Sequence, residues 1–202
     1  MRRGAPISDR ANRLRTTQEA YVILAVDPGL GNIGWAVVRR GTARVIDVGL
    51  LQSEPDRAIA KSTDRARRIA RATTELKCIA EQHQCDTIAA ESMLAHGAAA
   101  AIAANLLPWG ALVALSVCIG VDLVEVTAKR WQHAVLGIDK GKVDYGALAK
   151  CLERFAANQL GPRLQQIPKN KHTHVLDAIG VGLYAALTRA HAVRVYRPEA
   201  TA

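Results

Sequence analysis

Two segments of this 202-residue chain place a carboxylate at the end of an apolar run. Asp27 follows YVILAV, which is typical of a buried strand, and Glu91 ends the shorter run TIAAE. A carboxylate at the end of a buried strand lies at the rim of a sheet, where its charge needs a partner. Carboxylate oxygens are the ligands that Mg²⁺ and Mn²⁺ prefer in proteins. If the two strands are neighbours, one divalent cation can be reached by both side chains.

A third segment, KHTHVLDAIGVGLYAAL, adds His174 and Asp177 at the start of an apolar helix. Side chains three residues apart on a helix share a face, so both can point toward the same site. Asp177 is surrounded in sequence by apolar residues, among which an unpaired charge would be destabilising. A zinc site is a weaker interpretation, because no third His or Cys is placed to complete it. Clusters of this kind build the two-metal sites of phosphoryl transfer.

Simpler structural roles exist for each of these residues. In such a role, Asp27 would do no more than open a turn, and Glu91 would do no more than accept hydrogen bonds from the free amides at a helix start. The buried strand before Asp27 favours the functional interpretation, because a carboxylate there needs a partner. Gly29, Gly31 and Gly34 follow Asp27, and we expect them to let a phosphate backbone or a metal ion approach closely.

The elements that position these residues follow from the apolar patterns. Strands over residues 21–26, 33–38 and 44–51 follow one another closely and predict an antiparallel meander. Two further strands, 86–91 and 121–126, alternate with helical segments, which predicts an α/β fold with a five-stranded mixed sheet flanked by helices. The remaining predictions are an Arg-faced helix over 56–83, helical stretches over 97–119 broken near Pro108, helices over 143–158 and 174–190, and a loop over 161–173. The domain then spans residues 21–191, between a basic arm of residues 1–20 and a tail of residues 192–202.

The net charge of +9 is concentrated in two segments. Residues 1–20 hold five arginines against two acidic residues, and residues 129–171 hold nine basic residues against three acidic ones. Localised positive charge indicates a polyanionic partner, most often nucleic acid. The alternative is a basic surface that only confers solubility.

Composition argues against a membrane protein and against a disulfide-bonded scaffold. Residues 97–121 carry no charge, but the run is Ala-rich, contains Pro108, and has no flanking Lys/Arg cluster or aromatic belt. The four cysteines, Cys78, Cys85, Cys118 and Cys151, are far apart in apolar or helical contexts, so we expect buried thiols in a reducing compartment. Residues 1–20 lack the apolar core of a signal peptide. We expect a cytoplasmic, nucleoid-associated protein, with organellar targeting by the basic arm as the alternative.

Four motifs together resemble the RuvC-type Holliday junction resolvases, also called crossover junction endodeoxyribonucleases. They are DPGLGNIGWAVV, AAESM, VTAKRWQHAVLGIDKGKVD and HVLDAIGVGLYAAL, in the family's order and with similar spacing over about residues 20–190. The resemblance implies an RNase H-like fold, a homodimer, and Mg²⁺-dependent nicking of two symmetry-related strands of a four-way DNA junction. Mn²⁺ is expected to substitute for Mg²⁺.

The resemblance also assigns roles by position. Asp27, Glu91, His174 and Asp177 match the catalytic metal-binding set, with Asp27 shared between two ions. Leu94 falls where the family has an apolar or aromatic residue near the junction centre, and Lys140 and Lys142 fall in its basic DNA-contacting stretch. We further expect Lys129 and Arg130 to grip phosphates, Trp131 to stack on an unpaired base, and the charge-free helix 97–119 to form the dimer surface.

The sequence therefore predicts a structure-selective endonuclease acting on branched DNA, with no small-molecule substrate and no membrane partner. Two alternatives remain open at this point. One is an RNase H-like nuclease of the ribosomal RNA-processing type, and the other is a non-catalytic protein that binds junctions or DNA. The second would require the loss of an acidic position, and all of them are filled here.

Overall fold

A computed structural model of the chain describes residues 21–92, 99–138, 143–156, 160–188 and 193–196. The strands are β1 (Val22–Asp27), β2 (Asn32–Arg39), β3 (Arg44–Gln52), β4 (Thr87–Glu91), β5 (Asp122–Val126) and β6 (Val193–Tyr196). The helices are α1 (Lys61–Gln82), α2 (Ala99–Ile119), α3 (Ala128–Leu136), α4 (Tyr145–Glu153), α5 (Leu160–Gln165) and α6 (His172–Leu187), and a 3₁₀ turn spans Lys169–Lys171.

The strands form one mixed sheet in the order β3-β2-β1-β4-β5-β6. β1, β2 and β3 pair antiparallel, as the meander predicted, and β4 and β5 run parallel to β1. The α/β prediction with a mixed sheet is therefore confirmed. The structure adds β6, antiparallel to β5, within the segment assigned to the C-terminal tail. Four residues are too few for a period-two pattern to stand out, which is why the sequence did not reveal this strand.

Helices cover both faces of the sheet, so each strand side chain enters one of two cores. α1 and α2 pack together over one face, on a core that includes Leu24, Val26 and Ile88. α6 lies over the opposite face, with α3 and α4 packed against it, on a core that includes Ile23 and Ala25. Because α6 is enclosed between the sheet and these helices, it is apolar on nearly every side.

The predicted break near Pro108 is wrong, because α2 runs without interruption from Ala99 to Ile119 with this proline inside it. Proline removes a single i→i−4 hydrogen bond, and a helix held by tertiary packing can tolerate that loss. Leu112 and Leu115 provide such packing, since both are buried in the core shared with α1. The predicted loop over 161–173 is also partly helical, containing most of α5 and the 3₁₀ turn.

The prediction that the cysteines are buried is wrong for Cys78 and Cys118, which are exposed on α1 and α2. Cys85 is buried, and all four thiols are free. A helical context alone does not tell which side of the helix faces the core.

The outer edge of β3 is covered by the segment that links α4 and α5. The backbone N–H of Val45 donates to the carbonyl oxygen of Phe155 at 2.9 Å. The Asp47 carboxylate accepts from the backbone N–H of Val48 at 2.9 Å and pairs with the Arg163 guanidinium at 3.1 Å. The edge is further irregular, because the β2–β3 register shifts opposite Val37 and Val38.

Candidate active site

Asp27 and Glu91 end neighbouring parallel strands at one edge of the sheet. Val26 of β1 is level with Ala90 of β4, so the residues that follow them are also level. Alternation along each strand puts Asp27 on the same face as Ala25 and Glu91 on the same face as Ala89. Both alanines belong to the core beneath α6. The two carboxylates therefore share the face that α6 covers.

Gly34 allows the first turn of α6 to reach this edge. It pairs with Asp27 across the β1–β2 ladder. A Cβ atom at position 34 would lie 1.9 Å from the His174 carbonyl oxygen and 2.8 Å from the Val175 nitrogen. Only glycine can accept a helix backbone at that distance. Our expectation that Gly34 admits a phosphate or a metal is corrected, because the space is occupied by α6.

Gly29 in the DPGLG loop also has a structural role, because a Cβ there would lie 2.4 Å from the Asn32 carbonyl oxygen. Gly31 has the Arg68 guanidinium beside it, where a Cβ would make an ordinary contact at 3.4 Å. Arg68 is 8% exposed and donates to the Leu30 carbonyl oxygen at 3.0 Å. The sequence predicted that the arginines of α1 lie on its exposed face, but Arg68 is buried. Its hydrogen bond holds the loop after Asp27 against the helix.

His174 contacts Asp27 directly. Its Nδ1 lies 2.7 Å from Asp27 Oδ2, and both side chains are partly exposed. With Asp27 ionised, the imidazole N–H is the donor. This hydrogen bond raises the pKa of His174 above the ordinary histidine value, so the ring holds a proton more readily than a free imidazole.

Glu91 and Asp177 are carboxylates whose charged forms are disfavoured. Burial, followed by repulsion from Asp27 and Asp177, raises the pKa of Glu91 to about 8. Burial, followed by repulsion from Asp27, raises the pKa of Asp177 to about 7. Three carboxylates thus act on one another in a partly desolvated site. A divalent cation would relieve both the burial and the repulsion.

The two oxygens of Asp177 have different environments. Oδ2 accepts a hydrogen bond from the Tyr145 hydroxyl at 3.3 Å. Oδ1 is buried and has no hydrogen-bond partner. A buried, unpaired carboxylate oxygen is costly unless something else satisfies it, and a metal ion does so directly.

The donor set fits a hard divalent cation, although the ligand cage is not already assembled. Within the ranges that the structure describes, no three His, Cys, Asp or Glu side chains are arranged as a ready metal site. In this arrangement Asp27 bonds His174 and Asp177 bonds Tyr145. Three carboxylates and one imidazole nevertheless match the oxygen-rich chemistry of Mg²⁺ or Mn²⁺ sites.

The predicted stacking of Trp131 on a base is wrong, because the indole is fully buried. Its ring fills the space above Gly180 of α6, where an added Cβ would lie 2.4 Å from the ring. The buried Nε1 has no well-formed hydrogen bond, but its N–H interacts weakly with the Glu91 carboxylate and partly offsets the effect of burial on the pKa of that group. The i, i+4 spacing of Trp131 and Val135, both buried on α3, was the sequence signal for an inward-facing side chain.

The remaining predicted DNA contacts are placed only in part. Lys129 and Arg130 are exposed on the first turn of α3, beside the buried Trp131. Lys140, Lys142 and Leu94 lie outside the described residues. Tyr145 is the site residue that the sequence did not reveal, because nothing in the pattern of α4 connects it with Asp177.

Comparison with known proteins assigns the chain to a family. The family model described as crossover junction endodeoxyribonuclease RuvC matches residues 23–184, which is most of the chain. No match was found among the curated proteins. The chain belongs to the RuvC family of crossover junction endodeoxyribonucleases, which are divalent-metal-dependent hydrolases of DNA.

Solved structures show what fold the chain is similar to. A structure described as Thermus thermophilus RuvC in complex with Holliday junction substrate has a TM-score of 0.64 and 16% identity, covering 82% of this chain and 92% of that one. A second T. thermophilus RuvC structure has a TM-score of 0.61 and 17% identity, covering 82% and 93%. The yeast mitochondrial resolvase Ydc2 has a TM-score of 0.49 and 13% identity, covering 87% of each chain. The predicted RNase H-like fold is confirmed. No described helix is long and apolar enough to span a membrane.

Proposed function

We propose that this enzyme nicks symmetry-related strands of four-way DNA junctions by Mg²⁺-dependent hydrolysis, with Asp27, Glu91, His174 and Asp177 as its catalytic residues. The observation that carries the proposal is the convergence of three carboxylates at one sheet edge, within the family's own domain. The T. thermophilus relative whose structure holds a Holliday junction supports the choice of substrate. Because that substrate is DNA, we expect the enzyme to be found with the nucleoid.

The four side chains would hold two metal ions between them. Asp27 is the natural shared ligand, because its charge acts on both Glu91 and Asp177 and its Oδ2 bonds His174. When bound, the ions activate the attacking water and stabilise charge on the leaving 3′ oxygen. Mg²⁺ and Mn²⁺ both suit this oxygen-rich set.

His174 is suited to proton handling beside these carboxylates. Its pKa is raised by Asp27, and one third of the side chain is open to solvent at 34% exposure. With Nδ1 directed at Asp27, Nε2 is the ring atom that is available to the site. We propose that His174 uses Nε2 either as a metal ligand or to orient the attacking water.

The basic surface would bind the phosphates of the junction arms. Lys129 and Arg130 are exposed on α3, the helix whose Trp131 lies beside Glu91. We propose that Lys140 and Lys142, a few residues further on, continue this surface and that Leu94 lies near the junction centre. Phosphate contacts of this kind give affinity that falls with salt.

A homodimer would present two such sites to a two-fold-symmetric substrate. The surface we propose for the interface is α2, which exposes Leu106 (51%), Leu107 (46%) and Val117 (48%). Exposed leucines and valine on a charge-free helix are typical of an interface rather than of a solvated face.

The decisive experiment compares a synthetic four-way junction with a linear duplex of matched sequence, in Mg²⁺ or in EDTA. We expect paired nicks in the junction with Mg²⁺, no cleavage in EDTA, and little cleavage of the duplex. Asp27→Asn keeps the size of the side chain but removes the charge that holds the metal, so it should abolish cleavage and leave junction binding intact. Cleavage by Asp27→Asn near the wild-type rate would show that the site is elsewhere.

A further inference from the structure

Tyr145 is the first residue of α4, and its backbone is held firmly. Asp144 caps the helix, and its side chain accepts from the backbone N–H groups of Gly146 and Ala147 at 2.9 and 3.1 Å. Leu148 and Leu152, further along α4, are buried in the core that also contains α6. A capped and packed helix start leaves the Tyr145 side chain little freedom.

The phenol reaches from α4 to the metal-site carboxylate on α6. The Tyr145 hydroxyl donates to Asp177 Oδ2 at 3.3 Å, and its ring packs against the core beneath α6. The pKa of Tyr145 is raised by burial and then by Asp177, Glu91 and Asp27, so the hydroxyl remains a neutral donor at physiological pH. The hydroxyl therefore lies within the field of all three carboxylates.

The hydrogen bond from Tyr145 leaves the two oxygens of the Asp177 carboxylate with different roles. One oxygen, Oδ2, is held by Tyr145, and the other, Oδ1, is buried without a partner. A carboxylate with one oxygen fixed has a restricted rotation about its terminal torsion. Hydrogen-bonded partners behind metal ligands orient those ligands and tune their affinity in the same way.

We propose that Tyr145 is a positioning residue that orients Asp177 so that its free oxygen is presented to the metal. This inference rests on the proposed function only in taking Asp177 as a metal ligand. It does not require that the substrate be a junction. Removing the hydroxyl should weaken metal binding without altering the fold.

The test measures Mn²⁺ affinity by electron paramagnetic resonance, without DNA, for wild type, Tyr145→Phe and Tyr21→Phe. Tyr21 is a matched control, because it is 44% exposed, lies at the opposite end of β1, and keeps its ring contact with Arg40 when changed to phenylalanine. We expect Tyr145→Phe to raise the Mn²⁺ Kd by about 10- to 100-fold, the usual effect of removing such a partner. Tyr21→Phe should leave the Kd and the unfolding midpoint in EDTA unchanged. Tyr145→Phe should still unfold in one cooperative transition, at a midpoint lowered by the loss of its buried hydrogen bond to Asp177.

A double-mutant cycle with Asp177→Asn separates positioning from a general structural effect. If Tyr145 acts through Asp177, Tyr145→Phe has no further effect on the Mn²⁺ Kd once Asp177 is asparagine. A Tyr145→Phe Kd within twofold of wild type, or an equal loss in both backgrounds, overturns the proposal. Wild-type protein that binds Mn²⁺ through Asp177 but fails to cut junctions would refute the proposed function and leave the role of Tyr145 standing.

Discussion

Glu91 and Asp177 make the stability of the metal-free protein depend on pH. Their raised pKa values, about 8 and about 7, mean that the native state holds protons that the unfolded chain has already lost. The raised pKa of His174 acts in the same direction. Because the native state binds more protons, the free energy of unfolding falls as pH rises from about 4 to about 8.

We predict that the protein in EDTA becomes several kcal/mol less stable over this range, because the pKa values of Glu91 and Asp177 rise from 4.5 to about 8 and from 3.8 to about 7 on folding. Glu91→Gln removes one of these protons, so its stability should change less with pH and exceed that of wild type at pH 8. Urea titrations at fixed protein concentration and several pH values measure both effects.

Glu75→Gln is the control for this series, because Glu75 forms an exposed ion pair with Arg71 on α1. Its stability should follow wild type at every pH. Saturating Mg²⁺ should restore wild-type stability at pH 8 by binding the native state alone. A Glu91→Gln curve parallel to that of wild type would contradict the assigned cause of the pH dependence.

The sequence predicted that Asp27, Glu91, His174 and Asp177 lie together, because each stands at the end of a strongly apolar element, and the structure brings these four side chains to one edge of the sheet. It could not locate Tyr145, whose contact with Asp177 depends on how α4 and α6 pack across 32 residues of chain. It misplaced Trp131 because the neighbouring Lys129 and Arg130 suggested a DNA surface. The i, i+4 pattern with Val135 was the better guide.

At the scale of elements, the contact between β2 and α6 determines how closely His174 and Asp177 on the helix approach the carboxylates at the strand ends. We predict that Gly34→Ala destabilises the protein by about 1–3 kcal/mol, the usual effect of overpacking a tight contact. It should also weaken Mn²⁺ binding, because α6 must move away and carry His174 with it.

Gly161→Ala provides the control, because a Cβ at that position in α5 meets no atom within 4 Å. Alanine is favoured over glycine inside a helix, so this variant should match or exceed wild-type stability. Thermal unfolding in EDTA together with Mn²⁺ titration measures both quantities. If Gly34→Ala binds Mn²⁺ as tightly as Gly161→Ala does, α6 does not depend on this glycine for its position.

Element predictions held where an apolar run defines the element and failed where tertiary contacts decide the outcome. The five strands and the main helices carry apolar runs that define them. β6 has only four residues, and Pro108 lies in a helix that packing holds together despite the proline. Such outcomes depend on tertiary contacts, which a local pattern does not contain.

At the scale of the whole molecule, the exposed side chains of α2 predict self-association. We expect a dimer of twice 21.7 kDa, and we expect Leu107→Glu to convert it to a monomer by placing a charge in an apolar interface. Light scattering over micromolar concentrations measures this. Leu187→Glu is the matched control, because that leucine is equally exposed (53%) but lies at the end of α6. A wild-type monomer at all concentrations would exclude the interface.

The basic surface predicts how junction affinity depends on salt. Each phosphate contact contributes about 0.9 to the slope of log affinity against log salt on duplex DNA. Lys140→Ala combined with Lys142→Ala should therefore reduce the slope by nearly two units and leave Mn²⁺ affinity unchanged. Lys77→Ala, on α1 in an exposed pair with Glu81, is the control and should leave the slope as in wild type. An unchanged slope in the double variant would place the DNA on another surface.

The covered edge of β3 has a consequence for how copies of this chain can meet. An open strand edge recruits further strands and leads to filaments, which proteins prevent with bulges, charges and covering segments. β3 uses all three, through its register shift, the Asp47–Arg163 pair and the Phe155 carbonyl on Val45. Association is thereby directed away from this edge and toward helix faces. A dimer joined through helices is complete with two copies, whereas strand-to-strand pairing can continue indefinitely. The covered edge of β3 therefore helps to prevent aggregation at high protein concentration.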